Sequence, residues 1–237
     1  MKGMLRHKLW LALLTAVIMF GLFNLKAIAD FFVDSRDPNE RVTRTLEWKT
    51  ATAEERRAVF SIPRGYYVPG AHNKEGEVIS LRVMYPSKAF VPWASDKGPE
   101  PNAVNIRIDA GNSRGPVQTR GDRFKAALDN GTLLTSTHQE FVGKQGELIV
   151  LRMTGNDEFK EVSYLFHDSA RGHWVSSRPM QGQTFRAAEA VLNDQTAYVS
   201  YWYRQSVESN PVTMHGWVVE FVESLQTTKQ QTQTQEK

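Results

Sequence analysis

The sequence predicts an α+β fold, an antiparallel sheet packed by a C-terminal amphipathic helix, on three observations. Residues 77–86, "EVISLRVMYP", and 103–110, "AVNIRIDA", alternate apolar and polar side chains, the mark of strands with one buried and one wet face. Residues 147–177 hold three more strand-like runs divided by the turns "TGND" and "SARG", the spacing of a meander. Near the end, Asn210 precedes Pro211 as a helix start, and Met214, Trp217, Val218, Phe221, Val222 and Leu225 recur on one apolar stripe. Such a helix needs a surface to cover, and a half-wet sheet supplies one.

The chain begins differently from its body. Lys2, Arg6 and Lys8 precede the uncharged run Leu9–Phe23, and Ala27-Ile28-Ala29 stands directly before Asp30. A basic start, an apolar stretch and small residues at the cut are the pattern of a secretory signal peptide cleaved near Ala29. A membrane anchor over residues 9–28 competes with it, since a span needs about 20 apolar residues. Residues 1–29 are thus a signal peptide or an N-terminal anchor, and both place the rest outside the cytoplasm, in the periplasm of a bacterial envelope.

Charge supports the division. The chain carries 29 Lys and Arg against 26 Asp and Glu; the first 29 residues hold four of the basic side chains and no acidic one, leaving 25 against 26. A body near −1 lacks the basic stripe that nucleic acid requires. With no cysteine there is no disulfide framework, no thiol catalysis and no lipid attachment at cysteine.

Along the body, residues 30–56 are polar with little periodicity and read as a stalk or lead-in segment, followed by a single domain over 57–225. "AVFSIPRGYYV" (58–68) suits an edge strand because Pro63 cannot donate to a ladder. In 77–86 Ile79, Leu81, Val83 and Tyr85 share a face, and after the proline-punctuated loop 86–102 Val104, Ile106 and Ile108 do the same. "GDRFKAALDNG" reads as a short helix ended at Asn130-Gly131. The meander runs through 147–153, 159–168 and 173–177; "FRAAEAVL" (185–192) reads as a short helix, and "TAYVSYWYRQ" (196–205) as an alternating strand. Residues 226–237 have nothing to bury and form a disordered polar tail.

Three groups of residues carry candidate chemistry. Gly111-Asn112-Ser113-Arg114-Gly115 matches the G-x-S-x-G of serine hydrolases, with Asp168 and His173 or His215 available as partners. Pro116 follows at once, denying Ser113 the helix that a nucleophile elbow needs. His167, Asp168 and His173 gather around one turn as candidate metal ligands, without a third histidine to complete a standard zinc pattern. Tyr198, Tyr201, Trp202 and Tyr203 form an aromatic cluster suited to a protein interface, and equally to a core. Alternation puts Tyr198 and Trp202 opposite to Tyr201 and Tyr203. The sequence shows no phosphate-cradling loop and no cofactor motif.

"FSIPRGYYV", "LRVMYP" and the terminal "WVVEFVESL", together with the basic apolar start, resemble uncharacterised proteobacterial proteins that expose one domain to the periplasm. Some proteins of this build are similar to immunity proteins that neutralise toxins delivered there. The resemblance implies a non-catalytic domain that binds a protein partner in the cell envelope, at the inner membrane if residues 9–28 stay uncleaved. An envelope serine hydrolase using Ser113 and a structural subunit of an envelope complex are the alternatives.

Overall fold

A computed structural model describes residues 37–49, 55–68, 78–91, 100–110, 118–154, 162–180, 184–192 and 197–227. Asp37–Glu40 precede the unit that begins at Arg41, and among them Asp37 Oδ1 accepts from the Asn39 amide. That unit opens with a hairpin, β1 (Arg41–Lys49) and β2 (Glu55–Pro63), running to a 3-10 turn at Arg64–Tyr66. Then follow β3 (Val78–Met84), β4 (Ala103–Asp109), α1 (Arg120–Asp129), α2 (Leu133–Thr137), β5 (Gln139–Gln145), β6 (Leu148–Met153) and β7 (Val162–Asp168). The remaining elements are β8 (His173–Pro179), β9 (Phe185–Val191), β10 (Tyr198–Arg204) and α3 (Pro211–Leu225).

Eight of these strands form one antiparallel sheet in the order β3-β4-β10-β9-β8-β7-β6-β5, and β1-β2 form a separate ribbon. The predicted α+β class, mostly β with a C-terminal helix, is therefore the observed one. The alternation of 77–86, 103–110 and 196–205 fixes the register. Tyr201 stands opposite both Ile106 and Ala188, and Ile106 opposite Leu81, so one apolar row crosses four strands. Small Ala188 and Ala190 on β9 leave room for the Tyr201 ring and its neighbours.

α3 covers that face. Its Asn210 cap accepts from the amides of Val212 and Thr213 and Pro211 pre-sets the first turn, as the sequence predicts. Met214, Val218, Val219, Phe221, Val222 and Leu225 join the sheet residues and Ala58, Phe60 and Ile62 of β2 in the main core. Beyond the helix the Thr227 amide donates to the Val59 carbonyl at 2.7 Å, pinning the chain to β2.

A second core lies on the opposite face of the sheet's other end. Adjacent side chains on a strand point to opposite faces. On β7 Phe166 enters the main core, while Leu165 joins Ile149, Leu151 and the α1–α2 residues Phe124, Ala127 and Leu133. α1 starts with a capping box between Thr119 and Asp122 and ends at Asn130 with Gly131 at φ 74°, as its sequence predicts. It approaches β8 so closely that Asp122 Oδ1 accepts from the Trp174 amide at 2.7 Å.

The sequence reading needs correction in two places. "FRAAEAVL" is not a helix: Phe185–Val191 is strand β9, paired with β10 and β8. Its Ala and Glu favour a helix in isolation, but a central slot with partners on both sides overrides intrinsic propensity. Its Arg186 is buried, donating from Nη2 to the carbonyls of Val162 and Ser177 at 2.8 and 3.0 Å. Nor is the 30–56 segment a stalk throughout, since Arg41–Lys49 is strand β1. Its alternation is faint because the ribbon buries little from this strand beyond Leu46. The edge strand β5, polar and bulged between Phe141 and Gly143, went unpredicted for the same reason.

Two glycines give opposite expectations. A Cβ on Gly121 would collide with the Trp174 backbone carbonyl, whereas Gly216, exposed within α3, has open space around it. Gly121→Ala is expected to destabilise by about 1–3 kcal/mol through overpacking, and Gly216→Ala to stabilise by about 0.5–1 kcal/mol through helix propensity. Urea denaturation of the two variants checks the sign of each.

Candidate functional site

The turn between β7 and β8 and the face of α3 above it bring together a buried polar group. Asp168 and His173 are cross-strand partners, so their side chains leave the same face of the hairpin. His215, one residue after Met214 on the buried side of α3, comes down on them from the opposite layer. Asp168, His173 and His215 are all buried, and one ligand-capable atom from each lies within 4.8 Å of the others.

The hydrogen bonds form a chain. Tyr201 OH is 3.0 Å from His215 Nδ1, and His215 Nε2 is 3.0 Å from Asp168 Oδ2. Asp168 Oδ2 also accepts from Arg171 Nη1 at 3.1 Å, and Asp168 Oδ1 accepts from the Ala170 amide. Arg171 in turn donates from Nε and Nη2 to the two carboxylate oxygens of Glu223, a bidentate fork that ties the turn to the last turn of α3. His173 takes a hydrogen bond with the backbone of Arg171, while its Nε2, buried, has no partner.

Electrostatics follow from the geometry. Burial raises the Asp168 pKa, but the hydrogen bonds from His215 and Arg171 outweigh it and hold the carboxyl below its usual range. His173 moves down because burial disfavours its cation more than the charge of Asp168 favours it. Burial drives the Tyr201 phenol well above its ordinary value, with Tyr203 and the Asp168 charge adding to it. Tyr201, His215 and Asp168 stand in the order of a nucleophile, a base and an orienting acid, yet their exposures are 1%, 4% and 9%. A substrate has no access to them.

The other predicted residues are placed as follows. His167 does not join Asp168: one position along β7, it faces the other way, its ring 5.2 Å from that of Trp174. His215 takes its place, and the signal was a histidine on the three- and four-residue lattice of the α3 stripe. Tyr201 and Tyr203 are 1% exposed and belong to the core, which removes them from any docking surface. Tyr198 and Trp202 lie on the opposite, half-buried face beside Asn105, Arg107 and Arg204. Burial and a hydrogen bond to Glu189 push the Tyr198 phenol up. Ser113 lies outside the described residues; the strand leading toward it, β4, is antiparallel to both neighbours.

A further surface escaped the sequence reading. Leu134, Phe141, Val142 and Met153 are 51%, 49%, 44% and 43% exposed. All four belong to β5, its partner β6 and the adjoining α2, at the end of the sheet. Phe141 and Met153 lie on the same side of the strand pair as Leu151 of the second core, since Phe141 faces Leu151 in register. Scattered apolar side chains on a surface need no explanation; these four stand out because they sit on three adjoining elements at one edge of the sheet.

The buried ion-pair chain should dominate the surface ones. Arg171 is 13% exposed against 7% for Asp168 and 28% for Glu223. Arg171→Met, which strands two carboxylates, is expected to cost about 2–3 kcal/mol, somewhat under the ~3–5 kcal/mol of a fully buried pair. Glu140→Gln, breaking the pair of half-exposed Glu140 and Arg152, is expected to move stability by less than about 0.5 kcal/mol. Denaturant midpoints of the two variants make the comparison.

No protein-family model matches the sequence, and no curated protein matches it. Among solved structures, the fold is similar to that of Smlt3025, an immunity protein of the Stenotrophomonas maltophilia type IV secretion system. The match has a TM-score of 0.52 at 14% identity and covers 80% of this chain and 94% of that one.

Proposed function

We propose that this chain is a non-catalytic, periplasm-facing immunity protein that binds and neutralises a delivered toxin. The observation that carries the reading is the cluster of Leu134, Phe141, Val142 and Met153 at one sheet edge, a surface suited to a protein partner. Three things support it: the immunity protein sharing the fold, the export pattern of residues 1–29, and a triad-like group closed to substrate. Residues 1–29 export the binding domain to the periplasm, either as a signal peptide cleaved near Ala29 or as an anchor that stays in the inner membrane. Tyr198 and Trp202 on the half-buried face offer a second, smaller contact.

The tagged chain, used as bait in envelope extracts, is expected to hold a stoichiometric toxin whose activity it abolishes in a purified assay. Phe141→Asp should weaken that complex by roughly thirty-fold or more, the loss of a hot-spot residue, while leaving the denaturation midpoint within about 0.5 kcal/mol of wild type. Trp202→Ala measures the share of the other face. Absence of any stoichiometric partner, or fluorophosphonate labelling that disappears in Ser113→Ala, would reject the reading.

A further inference from the structure

We infer that Asp168, His173 and His215 form a binding site for a single divalent transition-metal ion of the zinc class. Two imidazoles and a carboxylate are a donor set that such ions accept, with one position left for water. In a tetrahedral zinc site of nitrogen and oxygen ligands at about 2.0–2.2 Å, neighbouring ligand atoms lie about 3.3–3.6 Å apart. Here His215 Nε2 and Asp168 Oδ2 are 3.0 Å apart, and all three donors fall within 4.8 Å. Small side-chain rotations close the set around an ion.

The surroundings are those of metal ligands as well. A metal-bound histidine holds its other ring nitrogen in a hydrogen bond that fixes tautomer and orientation. His215 Nδ1 faces the Tyr201 hydroxyl at 3.0 Å, and His173 is held by the backbone of Arg171. What remains is the Nε2 of His173, buried and without a partner, on a residue that has a donor atom within 4.8 Å of those of Asp168 and His215. A buried acceptor left unpaired costs free energy, and an ion between the three residues would satisfy it. An ion on His215 Nε2 would require the Nδ1–H tautomer, in which Nδ1 donates to the Tyr201 oxygen 3.0 Å away.

Arg171 opposes the ion, its Nη1 lying 3.1 Å from Asp168 Oδ2, but Glu223 holds the same guanidinium from the other side. The group holds two carboxylates, Asp168 and Glu223, against one guanidinium, Arg171. The charge therefore favours a cation.

Isothermal titration of the chelator-treated chain with Zn2+ alone is expected to show one ion per chain. His173→Ala and His215→Ala should each weaken it by about 100-fold or more, and Tyr201→Phe by about 10–100-fold, the range for second-shell loss. His167→Ala, altered on the opposite face, should bind as wild type. Arg171→Met, freed of the competing charge, should bind more tightly. Co2+ in place of Zn2+ should give the intense visible absorption of a four-coordinate site, which tests the proposal even where a histidine variant fails to fold. No Zn2+ binding by wild type, unchanged affinity in the folded His173 or His215 variants, weaker binding in Arg171→Met, or a weak six-coordinate Co2+ spectrum would each overturn it.

Discussion

The structure depends on how α3 seats on the row of Leu81, Ile106, Tyr201 and Ala188. An apolar stripe by itself does not choose a register, because hydrophobic burial is non-directional and a helix can slide or roll on a flat apolar face at little cost. Directional contacts around the stripe make the choice. Tyr201, a member of the row, meets His215 at 3.0 Å in the middle of the helix; Arg171 grips Glu223 at its last turn. Trp217 Nε1 donates to the Pro86 carbonyl at 3.2 Å, and its ring meets Tyr85 edge to face. Lys88 reaches Glu220 from the same loop. The apolar contacts supply most of the stabilisation and the polar ones the position.

That seating explains why the sheet is used unevenly. At the β6–β8 end both faces are covered, one by α3 and the other by α1 and α2, so neighbours such as Leu165 and Phe166 enter different cores. At the β3, β4, β10 and β9 end the second face keeps half-buried polar residues, Ser80, Arg82, Asn105, Ser200 and Arg204 among them. The covered end runs out at β5, the margin of the sheet, where Phe141 and, on the adjacent β6, Met153 stay 49% and 43% exposed.

The legibility of the chain follows the same physics. Strands with one wet face declare themselves by alternation, so β3, β4 and β10 were readable down to the residues facing inward; α1 and α3 were readable from their stripes and caps. β9 was not, since Ala and Glu carry a helical preference that only its neighbours on the sheet overrule. β1 and β5 bury too few side chains to alternate visibly. In the polar group the sequence brought Asp168 and His173 to one turn, and strand alternation already excludes His167 from their face. His215 was visible as a histidine on the α3 stripe, but its pairing with Asp168, 47 residues away, is a long-range contact that leaves no local trace. The Phe141 edge was hidden too, because its exposure depends on where α1 and α2 stop.

The difference between a triad and a brace is access, not order of residues. Tyr201, His215 and Asp168 repeat the connectivity of a nucleophile activated through a histidine by a buried acid. A nucleophile must meet a substrate atom, however, and must reach its reactive form near working pH. The Tyr201 ring is enclosed between β4, β9 and α3, and burial raises its phenol well above the ordinary value, so the hydroxyl stays protonated and inaccessible. What such a chain does is fix position: Asp168 and His215 link the β7–β8 turn to the middle of α3 and, through Tyr201, to the centre of the sheet. The arrangement is a buried hydrogen-bonded link between the β7–β8 turn, α3 and the centre of the sheet.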